Sequence, residues 1–289
     1  MVATADSSAP VLSTPVAARR RSWWRSNPAA LAAVVFLAVL IFAATFAPLI
    51  APYPPNEVVL SNAYQAPSIQ HLMGTDDSGR DVLSRIIWGA RSALLGPMLV
   101  VGVAAAISVT LAIVGAWLGG GVDTGVARLF DALLVLPGLL LALTAAAIFG
   151  PGLLAAGLAL SIAYVPYIGR ITRSAALREV AQPYVAALRL QGFSTRRVLL
   201  FHLSPNLLGL IVAQITLNLG YAMVDMSALS YLGLGVQPPK PDWGSMVASG
   251  QASILRGYPW ESLAAGGAIV LTVLAFNIIG DSLETRFGD

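Results

Sequence analysis

Apolar residues in this chain come in long blocks rather than in alternation, which predicts buried or lipid-facing helices and no half-buried strands. Six blocks stand out, at 29–50, 93–118, 132–149, 153–169, 207–226 and 264–280. At about 1.5 Å of rise per residue the first alone spans roughly 30 Å, the thickness of a hydrocarbon layer. Pro48, Pro52, Pro54 and Pro55 close that first block and open a polar stretch that runs to Asp81. Such irregular backbone does not lie in lipid. Gly119, Gly120 and Gly121 break the chain after the second block. Gly150, Pro151 and Gly152 form a turn tight enough to set the third and fourth blocks antiparallel. The expected fold is an all-α membrane protein with six transmembrane helices.

The flanks of the blocks add detail. Residues 1–28 are a basic tail without apolar periodicity, with Arg19, Arg20, Arg21 and Arg25 beside Trp23 and Trp24, and are expected to be disordered and cytoplasmic. The block at 29–50 reads as an uncleaved anchor, since it is longer than a cleavable signal core and has no convincing small-residue cleavage site. Residues 51–92 are then an extracytoplasmic loop ending in an interfacial helix, and 93–289 a five-span core. Arg128 and Asp131 lie in one short loop and are candidates for a pair, a solvated loop without one being the other reading.

Composition agrees and excludes several classes. Of 289 residues, 57% are hydrophobic and only 11% charged, far from a soluble domain. There is no cysteine, so no disulfide or thiolate metal site is available, and His71 and His202 fall on opposite sides of the membrane in the expected topology, which argues against a zinc centre. The single lysine, Lys240, sits in QPPKPDW, so no phosphate-binding loop of the GxxxxGK[ST] type is present. The formal charge of +3 is carried by arginines beside apolar blocks rather than on a basic face for nucleic acid. No Ser/His/Asp, dicarboxylate or metal constellation points to an enzyme.

The most informative polar stretch lies between the fourth and fifth blocks, in a loop at 180–206. It contains QPYVAALRLQGFSTRRVLLFHLSPN. A short helix at 184–190, a turn at Gly192, Ser194 as N-cap and a second helix at 195–203 are expected. Val198, Leu199, Phe201 and His202 give the second helix an apolar face, and Arg189, Arg196 and Arg197 supply charge. This pattern resembles the "EAA" loop of ABC-importer permeases at Tyr184, Ala187, Arg189, Gly192, His202, Pro205 and Asn206. Ala186 stands where that family usually has a glutamate, and Ser204 where it usually has leucine.

Two further stretches carry the same resemblance. HLMGTDDSGRDVLSRIIWGARSAL, from His71 to Leu94, is similar to the signature before the core spans in C-type permease subunits of dipeptide, oligopeptide and nickel importers. SALSYLGLGVQPPKPDWGSM, from Ser227 to Met246, and FNIIGD, from Phe276 to Asp281, resemble later segments of that family. Met226 stands where a glutamate is common, with Asp225 beside it. Trp243 is suited to a membrane interface.

Within the fifth block, Gln214, Asn218, Tyr221 and Asp225 recur at helical spacing and share one face. Polar side chains in hydrocarbon turn into a bundle or a watery path. Gln214 and Asn218 fit interhelical hydrogen bonding as well as a lining role, whereas Asp225 reads as lining near the outer mouth. Asn277 and Asp281 read first as helix-packing groups.

Topology follows from charge. With a cytoplasmic N-terminus, six crossings leave twelve arginines inside, namely 19, 20, 21, 25, 128, 170, 173, 178, 189, 196, 197 and 286. Outside remain five basic residues, Arg80, Arg85, Arg91, Lys240 and Arg256. This obeys the positive-inside rule and puts the 180–206 loop in the cytoplasm.

The resemblance implies a type I ABC-importer permease core with an N-terminal extra span, in a bacterial inner membrane with both termini cytoplasmic. It implies a homologous second permease subunit, two ABC ATPase subunits, which hold the ATP and Mg, and an extracytoplasmic solute-binding protein. No cofactor is expected in this chain. Tyr184, Ala186, Ala187, Arg189, Gly192, Phe193, Arg196, His202 and Pro205 are the expected ATPase-coupling residues. Gln214, Asn218, Tyr221 and Asp225 are translocation-path candidates, and Asp76, Arg80, Gln237 and Trp243 are candidates to face the binding protein. Peptides are the expected cargo, with nickel chelates, haem or another small solute as alternatives. The competing class is an autonomous secondary transporter or channel with Asp225 or Asp281 as its coupling carboxylate.

Overall fold

The computed structural model describes residues 27–287; the N-terminal arginine and tryptophan border lies outside them. Among the described residues there are helices and no strands. They are α1 (Pro28–Thr45), its short continuation α2 (Ala47–Ile50), α3 (Val82–Leu118), α4 (Gly120–Leu134), α5 (Gly138–Phe149), α6 (Leu153–Val180), α7 (Pro183–Leu190), α8 (Thr195–Val198), α9 (Ser204–Tyr231), α10 (Trp243–Leu255) and α11 (Trp260–Phe287). Five helical segments are long and apolar enough to cross a membrane: α1, α3, α6, α11, and the continuous run from Thr195 to Tyr231 that contains α8 and α9. The pair α4 and α5, bent by 77°, makes a sixth if it is one span.

Several expected boundaries move, each for a physical reason. The interfacial helix and the second span are one unbroken α3, because no residue between Val82 and Ala93 interrupts it and Asp81 caps its start by accepting from the Ser84 N–H at 2.8 Å. Arg91 therefore lies within a membrane helix, where it donates to the Ala44 and Thr45 carbonyls at 2.6 and 2.9 Å. These are orphan acceptors at the end of α1, so the cation caps a neighbour's C-terminus. The third span is broken at Val135–Pro137 rather than straight from 132. Pro137 has no N–H to give, and the chain turns extended there before α5 restarts. The fourth span continues past Gly169 to Val180. An extra helix, α10, follows the Pro-rich loop, its N-terminus capped by the Asp242 carboxylate, which accepts from the Ser245 N–H.

The core is built where α3, α4, α5, α6 and α9 meet, around Val100, Ala104, Phe130, Leu160, Ile168 and Leu229. Gly169 allows this closeness: a Cβ there would stand 2.5 Å from the Phe130 ring. Small residues at such contacts are the usual means of packing helices in lipid, where the hydrophobic effect between helices is weak. A second cluster joins Val82, Met223, Trp243, Met246 and Ala265. A third, of Ile113, Ala176, Leu203, Leu207 and Ile211, lies directly behind the 180–206 loop and roots it in the bundle.

Candidate functional site

The loop between α6 and α9 folds as a bent pair of short helices. α7 begins with Pro183 at its first position, where the missing N–H costs nothing. Gly192 has φ +78°, and the chain then reverses into α8. Ser194 occupies the N-cap position with extended backbone, but its hydroxyl makes no capping bond. The second helix does not stop at Leu203. It passes through a π turn, Leu199–Leu203, straight into α9. Pro205 explains this widening: it cannot donate to the preceding turn and its ring crowds that carbonyl, so the helix loosens by one residue.

The faces of this element differ from the expected apolar stripe. Val198 and Leu203 are buried against the bundle, whereas Leu190, Leu200 and Phe201 are 90%, 63% and 72% exposed. These three large apolar side chains stand beside the exposed Arg196 and Arg197. Arg196, Arg197, Leu200, Phe201 and His202 line a hollow of about 580 Å³ there. Arg197 lies 4.8 Å over the Phe193 ring, which meets His202 edge-on at 6.0 Å. Ala186 and Ala187 are exposed on α7, as is the Arg189 backbone turn. The Arg189 guanidinium sits 3.8 Å over the Trp117 ring at the end of α3.

Sequence reasoning missed the residue that ties the loop together. Glu179, in the last turn of α6, accepts from the Tyr184 hydroxyl at 2.6 Å and from Asn206 Nδ2 at 2.7 Å. Its carboxylate joins the entrance and the exit of the loop. Burial, together with this bond to a carboxylate, pushes the Tyr184 hydroxyl up to about 12. The available signal was a glutamate five residues before the motif tyrosine. Nearby, Arg173 forks onto Asp123 with two contacts of 2.6 Å, fastening α6 to α4. Asp131 faces Arg170 at 3.9 Å, not Arg128, with both side chains mostly exposed.

The second candidate set comes together inside the bundle. Gln214, Asn218, Tyr221 and Asp225 line one open cavity of about 820 Å³. Tyr164 and Tyr167 of α6, which the sequence reading did not single out, complete its wall, and Tyr164 donates to Asp225 Oδ2 at 2.8 Å. Two tyrosines three apart in an apolar block were the signal. Asn277 instead abuts Gly220.

The third set is not a common surface. Asp76 is buried: its carboxylate accepts from the Ser78 and Arg80 N–H groups at 2.9 Å each and from Arg80 Nε at 2.6 Å. Trp243 has no exposed surface, and its indole donates to the Ile86 carbonyl at 2.9 Å. Both were expected to face a partner; they are folding residues, because a turn of successive N–H groups needs an internal acceptor and α3 needs a bulky filler. Arg80 is half-buried and committed to Asp76. Gln237 is exposed, with its amide nitrogen shared between the Gly233 and Gly235 carbonyls. Among the described residues no group of His, Asp or Glu is arranged to hold a metal ion.

A bundle of apolar spans with an open cavity that carries a row of polar side chains, and with an arginine-rich loop between two of its helices, has the form of a membrane transport subunit. The comparisons agree. Residues 106–288 match the model for the binding-protein-dependent transport system inner membrane component, and residues 19–67 match the N-terminal transmembrane domain of oligopeptide transport permease C. The chain belongs to the binding-protein-dependent inner-membrane permease family; it is a permease subunit and not an enzyme. It is 42% identical over 287 residues to the dipeptide transport system permease protein DppC of Escherichia coli K12, covering 96% of this chain and 94% of that one. It is 38% identical over 273 residues to a di/tripeptide permease protein DppC of Pseudomonas aeruginosa, covering 91% and 90%. A chain of the MetNI methionine ABC transporter, solved in inward-facing conformations, shares the fold at a TM-score of 0.57 and 17% identity, covering 70% of this chain and 96% of that one.

Proposed function

We propose that this chain is one half of the pore of an ATP-driven importer of short peptides. Its relatives of 37–42% identity are named for dipeptide transport, and they span nearly the whole chain, which supports peptide as the cargo. The reading rests above all on the docking face of the 180–206 loop, where Leu190, Leu200 and Phe201 stand exposed beside arginines. Apolar side chains on a membrane protein outside its lipid zone are covered by a partner. That partner is a pair of cytoplasmic ABC ATPase subunits, which supply the ATP and Mg site that this chain lacks. A second permease closes the cavity along α9, and a solute-binding protein delivers cargo at the outer side. Both termini are cytoplasmic, in the inner membrane of a bacterium.

The mechanism is alternating access. Closure of the ATPases on nucleotide pushes α7 and α8. The push reaches α3 through Arg189 on Trp117, and reaches α6 and α9 through Glu179. Packed helices with two discrete arrangements transmit such a displacement without chemistry in this subunit. The test is reconstitution: the chain with its partner permease, ATPases and binding protein should take up a dipeptide only with ATP. Uptake by the purified chain alone, driven by an ion gradient, would overturn the proposal.

A further inference from the structure

The 820 Å³ cavity has a chemical character of its own. Its lining includes two carboxylates, Asp225 and Glu284, and no lysine, arginine or histidine. Among the described residues, Asp225 enters no ion pair, and its one side-chain hydrogen bond is the bond from Tyr164. Among the described residues Gln214, only 5% exposed, makes no side-chain hydrogen bond, and it lines the cavity. Asn218 spends its Nδ2 on the Gln214 backbone carbonyl at 2.8 Å, which leaves its side-chain oxygen as an acceptor. Amides and a carboxylate that keep unused hydrogen-bonding capacity and open onto a cavity at membrane depth mark a place where something polar visits.

The visitor's charge follows from the walls. A carboxylate repels an anionic end and attracts a cationic one. Tyr164 and Tyr167, 5.8 Å apart, present ring faces and edges in the same wall, and Tyr221 stands 60% exposed beside them. Aromatic faces with a carboxylate are the usual surroundings of an organic ammonium group. A bare metal ion is a poor match, because the opening is far larger than an ion and its ligands do not converge on one point. From Gln214 to Asp225 the face extends about 16 Å, long enough for a short extended peptide to lie along it.

We propose that this cavity is a transient binding site for the α-ammonium group of the peptide cargo, with Asp225 as its counter-charge, the tyrosines as its wall, and Gln214 and Asn218 contacting the peptide's amides. This rests on the peptide reading above and adds to it a place and a polarity. The permease then does more than open: it holds the amino end of the cargo on its way through.

The chain has no cysteine, so a single one can be introduced as a reporter. Val224 lines the cavity and is 49% exposed, so Val224→Cys puts a thiol in the same cavity as Asp225 and leaves the three tyrosines in the sequence. In the assembled importer, with cysteine-free partners, its rates of modification by a trimethylammonioethyl and by a sulfonatoethyl methanethiosulfonate are compared. Relative to a free thiol, the cationic reagent should be favoured by at least about tenfold. Asp225→Asn should abolish most of that preference, whereas Asp225→Glu and Tyr164→Phe, which keep the charge, should retain it. Dialanine should slow the cationic reagent and N-acetyl-dialanine should not. A preference equal to that of the free thiol, or one indifferent to Asp225→Asn, overturns the site. So does equal protection by both peptides, or by neither, in proteoliposomes that take up dialanine. Failure of those vesicles to take up dialanine at all, with the charge preference intact, would instead count against the peptide cargo.

Discussion

Glu179 and Tyr184 share a 2.6 Å hydrogen bond across the junction of α6 and α7, and Asn206 joins the same carboxylate oxygen from the start of α9. A single carboxylate thus clamps both ends of the 180–206 loop. Hydrogen bonds to an ionised acceptor are each worth about 1.5–3 kcal/mol when shielded, and less for a half-exposed group such as this. Glu179→Ala should leave the fold in place and loosen the clamp. ATP hydrolysis by the assembled importer should persist while peptide uptake per ATP falls several-fold. Glu179→Gln, which keeps an acceptor oxygen, should fall less. Equal uptake per ATP in all three proteins would show that the clamp transmits nothing.

Gly192 is the bend of the same element. Its φ of +78° lies in the left-handed region, and no atom crowds the place where a Cβ would stand. The cost of substitution is therefore backbone strain alone, about 1–2 kcal/mol for an ordinary side chain and more for a β-branched one. Gly192→Val should lower uptake at least about tenfold with ATPase activity retained. Gly192→Asn, which tolerates this conformation, should be close to wild type. Uptake by Gly192→Val indistinguishable from wild type would remove the bend from the coupling path.

What the sequence disclosed and what it hid follow one physical line. Apolar blocks announce lipid-facing helices because hydrocarbon tolerates little else, so the spans at 29–50, 153–169, 207–226 and 264–280 were legible. Continuity was not: nothing in the composition of 82–93 says that a charged, amphipathic turn continues into a membrane helix, since Arg91 is acceptable there only because α1 offers its terminal carbonyls. The bend at Gly192 could be read from a glycine at a chain reversal. The clamp at Glu179 could not, because its partners lie five and twenty-seven residues away and only tertiary folding brings them together. Trp243 and Asp76 were misplaced for a related reason. A tryptophan and an aspartate in a Gly- and Pro-rich segment look the same in sequence whether they face solvent or plug the interior.

The Arg173–Asp123 fork is a polar tie between α6 and α4. Both side chains are mostly shielded, at 25% and 17% exposure, and the two 2.6 Å contacts have the bidentate form that makes an arginine–carboxylate pair strong. A double-mutant cycle with Arg173→Ala and Asp123→Ala, read by thermal unfolding in detergent, should give a coupling of about 1–3 kcal/mol. The reversed pair, Arg173→Asp with Asp123→Arg, should recover part of the loss seen in either single reversal. Strict additivity of the two alanine variants would show that the fork contributes no stability.

Trp243 permits a test that separates packing from recognition. Its indole fills the space under α3 beside Gly89, where a Cβ would stand 2.9 Å from the ring, and its N–H is satisfied by the Ile86 carbonyl. Removing a buried tryptophan leaves a cavity and costs about 3–5 kcal/mol. Trp243→Ala should therefore lower the thermal stability of the purified subunit without any partner present, and Trp243→Phe, which keeps most of the volume but not the donor, should fall between. A residue that served only to receive the binding protein would behave in the opposite way, with melting unchanged and the loss confined to the affinity of the assembled importer for its liganded binding protein. Unchanged melting of Trp243→Ala would thus return this residue to the outer surface and require α10 to sit differently against α3.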